Sequence, residues 1–326
     1  MTVLCIQQKG LDPYFHLAAE EYLLKNFDED VFMLWQGESS IVVGKHQNAL
    51  AEINHRYVAE NGIKIARRLS GGGTVFHDPG NLNFTFIKTV ERIDQVNFKV
   101  FTQPIVKVLK KLGLDAYTTG RNDLMLDGKK ISGNAEHVFK KRVLHHGTLL
   151  YNSELGKLKN ALKVDLSRFE DKAVQSNRSE VTNIANYLDR EMSVNDFSDF
   201  IFEGIRTSYP EPKVFQFSED DIEKIRKLRD EKYATWDWIY GYSPKYKYSN
   251  QVDDLEGNSI QFTLEVAKGV IHTIDLLGKI SNEQAILLTN ALLDARHDYQ
   301  ELTQRLKKIE IAIRPISVEK LLTVLV

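Results

Sequence analysis

Two hydrophobic rhythms run through this chain. Apolar and polar positions alternate over residues 2–7, 31–35, 40–43, 63–66, 74–76, 82–87, 124–125, 130–131 and 143–151, which predicts strands. The stretches 74–76 and 82–87 lie close enough to read as a hairpin. Apolar residues three and four apart predict helices over 13–24, opened by Pro13, and over 51–61, stopped by Gly62. Between 95 and 113, Phe98, Phe101, Ile105, Val108, Leu109 and Leu112 share one helical face that belongs to a core. Residues 195–208 and 218–232 have the same period.

Residues 165–190 are polar and weakly periodic, as a surface loop or lid would be. An aromatic segment from Thr235 to Pro244 follows, and a domain boundary is placed just after it. Beyond it, 259–267 and 270–276 form a hairpin around Lys268-Gly269, and amphipathic helices span 282–295 and 298–308. The whole predicts an α+β fold: mixed and antiparallel sheets flanked by helices over 1–245, then a small α+β unit over 246–326.

Composition narrows the classes. At 42% hydrophobic and 27% charged residues, the 326-residue chain has ordinary globular values, and a net charge of −2 gives no general attraction to nucleic acid or an anionic membrane. No apolar run is long enough to span a bilayer and no signal or transit peptide is visible, so the cytoplasm is the expected location. The single cysteine, Cys5, sits in the apolar run Val3-Leu4-Cys5-Ile6 and is expected to be buried and unreactive.

The chemistry concentrates in Arg67-Arg68-Leu69-Ser70-Gly71-Gly72-Gly73-Thr74-Val75-Phe76-His77-Asp78 and the following Pro79-Gly80-Asn81-Leu82-Asn83. Consecutive glycines expose amide N–H groups to a ligand, and arginines supply forks for phosphate or carboxylate oxygens. Neither a Gly-Lys-Ser/Thr nor a Gly-x-Gly-x-x-Gly spacing is present, so this is not one of the common phosphate loops. A second region runs Gly120-Arg121-Asn122-Asp123, Gly128-Lys129-Lys130-Ile131-Ser132-Gly133 and His145-His146-Gly147-Thr148. A lysine beside a small Ser-Gly pair can lie along a groove floor, and solvated hairpin charge is the alternative for Lys129 and Lys130. Asp123 suits magnesium or a salt bridge to Arg121. His145 and His146 point to opposite faces of one strand, which speaks against a shared zinc ion.

These ordered motifs, with Trp-x-Trp-x-Tyr-Gly-x-Ser-Pro before the last domain, resemble the lipoate–protein ligase family, whose fold is shared with biotin ligases. The Gly-Arg-Gly-Arg pattern of biotin ligases is absent. The resemblance covers the chain from end to end and implies a catalytic domain over 1–245 and an accessory domain over 246–326. It implies ATP-dependent activation of lipoate to lipoyl-AMP, with magnesium and release of pyrophosphate, then transfer to a lysine of apo lipoyl carriers. Those carriers would be the lipoyl domains of 2-oxoacid dehydrogenase acyltransferase subunits and the glycine-cleavage carrier protein. Lys130 takes the family's essential lysine role. Arg68, Ser70, Gly71, Gly72, Gly73, Thr74, Val75, Phe76 and His77 would line the acyl-adenylate pocket, with Asn81, Asn122, Asp123, His146 and Thr148 near the nucleotide or the carboxylate. Asp123 is the candidate magnesium ligand. The competing readings are an octanoyl or lipoyl transferase of the same superfamily, which passes the acyl group through a cysteine, and a non-catalytic carrier-binding homologue. Lys140, Lys141 and Arg142 form either a docking patch for acidic carriers or a solvated turn.

Overall fold

The computed structural model describes residues 2–92, 97–119, 123–162, 166–176 and 179–326. Two compact units divide the chain: one takes residues 1–45, 64–158 and 176–235, the other 46–63, 159–175 and 236–326.

Among the described residues of the first unit, these strands position the chemistry: β1 Val3–Gln7, β2 Asp30–Gln36, β3 Ser40–Val43, β4 Lys64–Arg67, β5 Val75–His77, β6 Asn81–Thr89, β7 Tyr117–Thr118, β8 Asp123–Leu126, β9 Lys129–Phe139 and β10 Arg142–Leu150. The large sheet runs in the order Pro212–Val214, β1, β2, β6, β10, β9, β8, β7, and a small sheet runs β4, β3, β5. Parallel pairing is confined to β1 with its two neighbours in the large sheet and to β3 with β4; the remaining pairs of both sheets are antiparallel.

One face of the large sheet is apolar. Phe32, Leu34, Leu82, Phe84 and Phe86 pack there against Phe101, Ile105 and Leu109 of helix Phe98–Lys111 and Phe197, Ile201 and Ile205 of helix Val194–Arg206. Cys5 belongs to this core, and burial pushes its thiol up to about 11. The opposite face carries polar side chains and is met by α1, Pro13–Asn26, which Asp12 caps by accepting the N–H of Tyr14.

The predicted hairpin between 74–76 and 82–87 does not form. β5 pairs with β3 in the small sheet, whereas β6, buried on both faces, takes β2 and β10 as neighbours in the large one. The predicted helix over 51–61 breaks into Ala49–Glu52 and His55–Glu60 because Asn54 recaps the chain by accepting the N–H of Tyr57. Arg142 is not part of a charged turn. It opens β10, nearly buried, and donates to the carbonyls of Asp28 and Glu29 at 2.7 Å each. Lys140 and Lys141 alone stand exposed at that turn.

In the second unit, Phe169–Asp171, Tyr246–Asp253, Ser259–Ala267 and Val270–Gly278 form a four-stranded sheet. The hairpin predicted around Lys268-Gly269 is present, and both residues take positive φ (51° and 71°) as a tight turn of this kind requires. Helices Asn282–Leu292, Tyr299–Lys307 and Val318–Leu325 cover the sheet through Leu288, Leu302 and Leu322.

Candidate active site

Lys130 reaches the polar face of the large sheet through a bulge. Met125 pairs with Lys130 while its neighbour Leu124 pairs with Ser132, so Ile131 is the extra residue. That insertion reverses the alternation of β9: Ile131 enters the apolar core with Leu124, and Lys130 turns to the side of Gly133 and Ala135. Its backbone is fixed from outside the sheet, donating to the carbonyl of Glu180 and accepting from the N–H of Thr182. The ammonium lies against Gly133, 3.4 Å from where a Cβ would stand, with Val75 of β5 on the same spot at 3.9 Å. Asp123 holds it in an ion pair at 2.9 Å, both side chains about a quarter exposed (22% and 24%).

The triple glycine lies over the same strand. The Cβ position of Gly72 is 3.9 Å from the Ala135 side chain, two residues beyond Gly133 on β9. Arg68 builds this loop. Its Nη2 donates to the carbonyls of Gly71 and Gly73 at 2.7 and 2.6 Å, its Nη1 to Val42, and its Nε to Ser70 Oγ at 3.0 Å. The guanidinium is therefore directed at its own loop, and the fork expected for ligand oxygens acts as internal scaffolding. Arg67 is likewise buried, with Nη1 donating to the carbonyls of Gly44 and Lys45.

A buried polar chain ties the loop to α1. His146 Nδ1 lies 2.9 Å from the Glu20 carboxylate, and its Nε2 lies 2.5 Å from the Ser70 hydroxyl oxygen. Glu20 also accepts from Thr85 Oγ1 at 2.6 Å, and Thr85 from the indole N–H of Trp35 at 3.4 Å. Both arms of the chain end on the Glu20 carboxylate, so one acid orients His146 and Thr85.

The remaining predicted residues fall around this frame. Thr148 accepts the N–H of Gly133 at 3.1 Å, and Thr74 donates its backbone N–H to Ser176 Oγ at 2.8 Å. His77 is buried edge-on to Trp35, and burial lowers its imidazole to about 3, which keeps it neutral. Phe76 is also buried, and its side chain alternates away from those of Val75 and His77. Asn81 is buried on β6 beside Asn83. Asn122 lies outside the described residues, as does Arg121, the alternative ion-pair partner for Asp123. Among the described residues no group of three or more His, Cys, Asp or Glu side chains is arranged to hold a metal. Asp123 offers one carboxylate, and magnesium commonly completes such a set with substrate phosphates and water, so the residue fits the ion with a nucleotide present.

Sequence reasoning passed over Glu20, Trp35 and Gly44, and it included Asn83 in the motif stretch without giving it a role. Glu20 carried a signal, being an acid inside the apolar pattern of a helix. Gly44 carried only the weak one of a glycine ending an apolar strand.

His145 faces the other way, stacked on Phe101 at 4.8 Å between ring centroids. Its Nδ1 is 2.9 Å from Glu136 Oε1 and its Nε2 is 3.1 Å from Asn134 Oδ1. Burial holds the imidazole well below 6.5 and pushes Glu136 up from 4.5 to about 7. A neutral Glu136 then donates to Nδ1, and Nε2–H donates to Asn134. The folded state retains a proton that the unfolded carboxyl releases near 4.5, so this contribution to stability is complete below that pH and is lost as pH rises through about 7. Urea melts of wild type and Glu136→Gln at pH 5 and pH 8 should show wild type losing more stability across the interval; equal losses would contradict the assignment.

Comparison with known proteins shows the family to which the chain belongs. Residues 12–206 match the family model for the lipoyl protein ligase A/B catalytic domain. The chain is 38% identical over 305 residues to lipoate–protein ligase 1 of Staphylococcus aureus strain Mu50, covering 92% of each chain. It is 41% identical over 271 residues to the lipoate-protein ligase LplJ of Bacillus subtilis strain 168, covering 82% of each. A crystal structure of a lipoate-protein ligase A bound with ATP superposes with a TM-score of 0.62 at 26% identity, over 74% of this chain and 98% of that one.

Proposed function

Because this chain belongs to the lipoate–protein ligase family, we propose that Lys130 and the glycine loop carry out its ATP-dependent reaction at the polar face of the large sheet. In the first step a lipoate carboxylate oxygen attacks the α-phosphorus of ATP. An acyl–phosphate bond forms, the bond to the β-phosphate bridging oxygen breaks, and pyrophosphate leaves. Two anions must approach each other, and a cation between them is the main requirement. The single observation that carries this reading is the placement of the Lys130 ammonium, turned by the bulge onto the face overlaid by the glycine loop. Asp123 keeps that ammonium extended, and Mg2+ bound to Asp123 and the nucleotide phosphates would offset charge on the leaving pyrophosphate.

In the second step a carrier lysine amine attacks the acyl carbonyl, giving an amide and AMP with loss of the amine proton. No enzyme nucleophile is needed. Cys5 lies in the apolar core with its thiol pushed up to about 11, which speaks against a transferase working through a cysteine thioester. Residues 1–245 are assigned to catalysis and 246–326 to an accessory role. The proposed carriers are lipoyl domains of 2-oxoacid dehydrogenase acyltransferases and the glycine-cleavage carrier protein, met in the cytoplasm. Exposed Lys140 and Lys141 are the residues proposed to attract their acidic surfaces. No helix among the described residues is long and apolar enough to cross a membrane.

Incubating the protein with ATP, lipoate and an apo lipoyl domain should yield lipoyl-amide, AMP and pyrophosphate in equal amounts. Transfer from a lipoylated donor protein without ATP would refute the ligase reading.

A further inference from the structure

Four residues stand level across four strands on the polar face: Trp35 on β2 is opposite Asn83 on β6, Asn83 opposite Thr148 on β10, and Thr148 accepts the N–H of Gly133 on β9. Gly133 is where the Lys130 ammonium rests. The row therefore leads away from that cation, and its far end has an unusual feature. Asn83 is 2% exposed, and its Oδ1 is occupied by Asn81 Nδ2 at 2.9 Å. Its own Nδ2 has no hydrogen-bond partner among the described residues, and neither has the Asn81 Oδ1 beside it. A buried amide N–H is seldom left unpaired, and where it is, a ligand or water is the usual complement.

We propose that Asn83 is a specificity-determining residue, whose unspent N–H favours an acyl chain carrying sulfur at its far end over a plain alkyl chain. The inference rests on the ligase reading, which places the substrate carboxylate at Lys130. From Gly133 to Asn83 is two strand spacings, roughly 10 Å, close to the length of an extended eight-carbon acyl chain. A chain laid along the row brings its end over Asn83 and beside the Trp35 indole. Sulfur is a weak hydrogen-bond acceptor and a terminal methyl is none, so the alkyl acid displaces water from the amide and replaces nothing. An apolar pocket alone separates such similar chains poorly, whereas a buried donor adds discrimination.

Pyrophosphate exchange tests this in wild type and in Asn83→Leu and Asn83→Ser, with lipoate, octanoate and a linear acid of the same length bearing one thioether near its end. Absence of any lipoate-dependent exchange in wild type would overturn the ligase reading itself. Given exchange, wild type should use the thioether acid about three- to tenfold better than octanoate in kcat/KM, as one hydrogen bond implies. Asn83→Leu should bring the two acids together, and Asn83→Ser, which retains a donor, should keep part of the preference. A wild type indifferent to the sulfur, or a leucine variant that lowers all three acids in equal proportion, would overturn the proposal. If the leucine variant does not fold, the wild-type comparison and the serine variant decide the matter.

Discussion

Lys130→Ala should reduce lipoate-dependent ATP–pyrophosphate exchange by a factor on the order of 100 or more, since removing one preorganised donor of an anionic transition state costs about 3 kcal/mol. The ammonium is the cation the structure sets on the site face beside Gly133 and Val75, and the bulge at Ile131 fixes its direction. Truncation leaves Asp123 without its partner, yet that carboxylate is 24% exposed and can hydrate, so the fold should survive. Lys130→Arg should rescue little, because a planar fork cannot reproduce a compact charge shared between two oxygens. Cys5→Ser should leave exchange essentially unchanged. A melting temperature close to wild type beside lost exchange in the alanine variant would separate chemistry from folding. Undiminished exchange there would remove Lys130 from the mechanism.

The second large effect should come from a glycine outside the triple run. A Cβ on Gly44 would stand 2.1 Å from the carbonyl oxygen of Gly72 and 3.2 Å from Arg68 Nη2. The first of these is backbone, and Arg68 grips the carbonyls on either side of it, so the loop cannot give locally. Gly44→Ala must move the whole loop by about an ångström, and misplacement on that scale can cost roughly 100-fold in rate. The accompanying loss of stability should be about 1–3 kcal/mol, the usual range for overpacking. Gly156→Ala, whose Cβ would meet nothing within 4 Å, serves as the control for substitution itself. Exchange kinetics in ATP, measured with thermal melts of both variants, should show the activity of Gly44→Ala falling far more than its stability. Full activity with a lowered melting point would show that the close approach serves packing alone.

The periodicity of the chain was sufficient for the elements whose pattern is local. Pro13 with the apolar spacing behind it, the run from Phe98 to Leu112, and Lys268-Gly269 each gave an element within a few residues of that observed. What escaped was set by partners distant in sequence. Val75 to His77 and Asn81 to Thr89 look like a hairpin until Ser40–Val43 and Arg142–Leu150 are there to claim them. The same holds in the candidate site. The motif residues Ser70 and His146 meet at 2.5 Å, but the acid that orients them, Glu20, comes from a helix whose pattern suggested only packing. The bulge that aims Lys130 depends on which β8 residues pair with which on β9, and alternation by itself would have put Lys130 on the face opposite Gly133. Arg142 shows the converse: a third charge in a basic run, drawn inward because two carbonyls after α1 await a donor.

The measurement nearest the central claim is a crystal structure with a non-hydrolysable lipoyl-adenylate analogue. One ammonium should stand between the two formerly separate anions, so Lys130 Nζ is expected about 2.7–3.2 Å from both the acyl carbonyl oxygen and an oxygen of the phosphate. An ammonium still paired with Asp123 and touching neither group would contradict it.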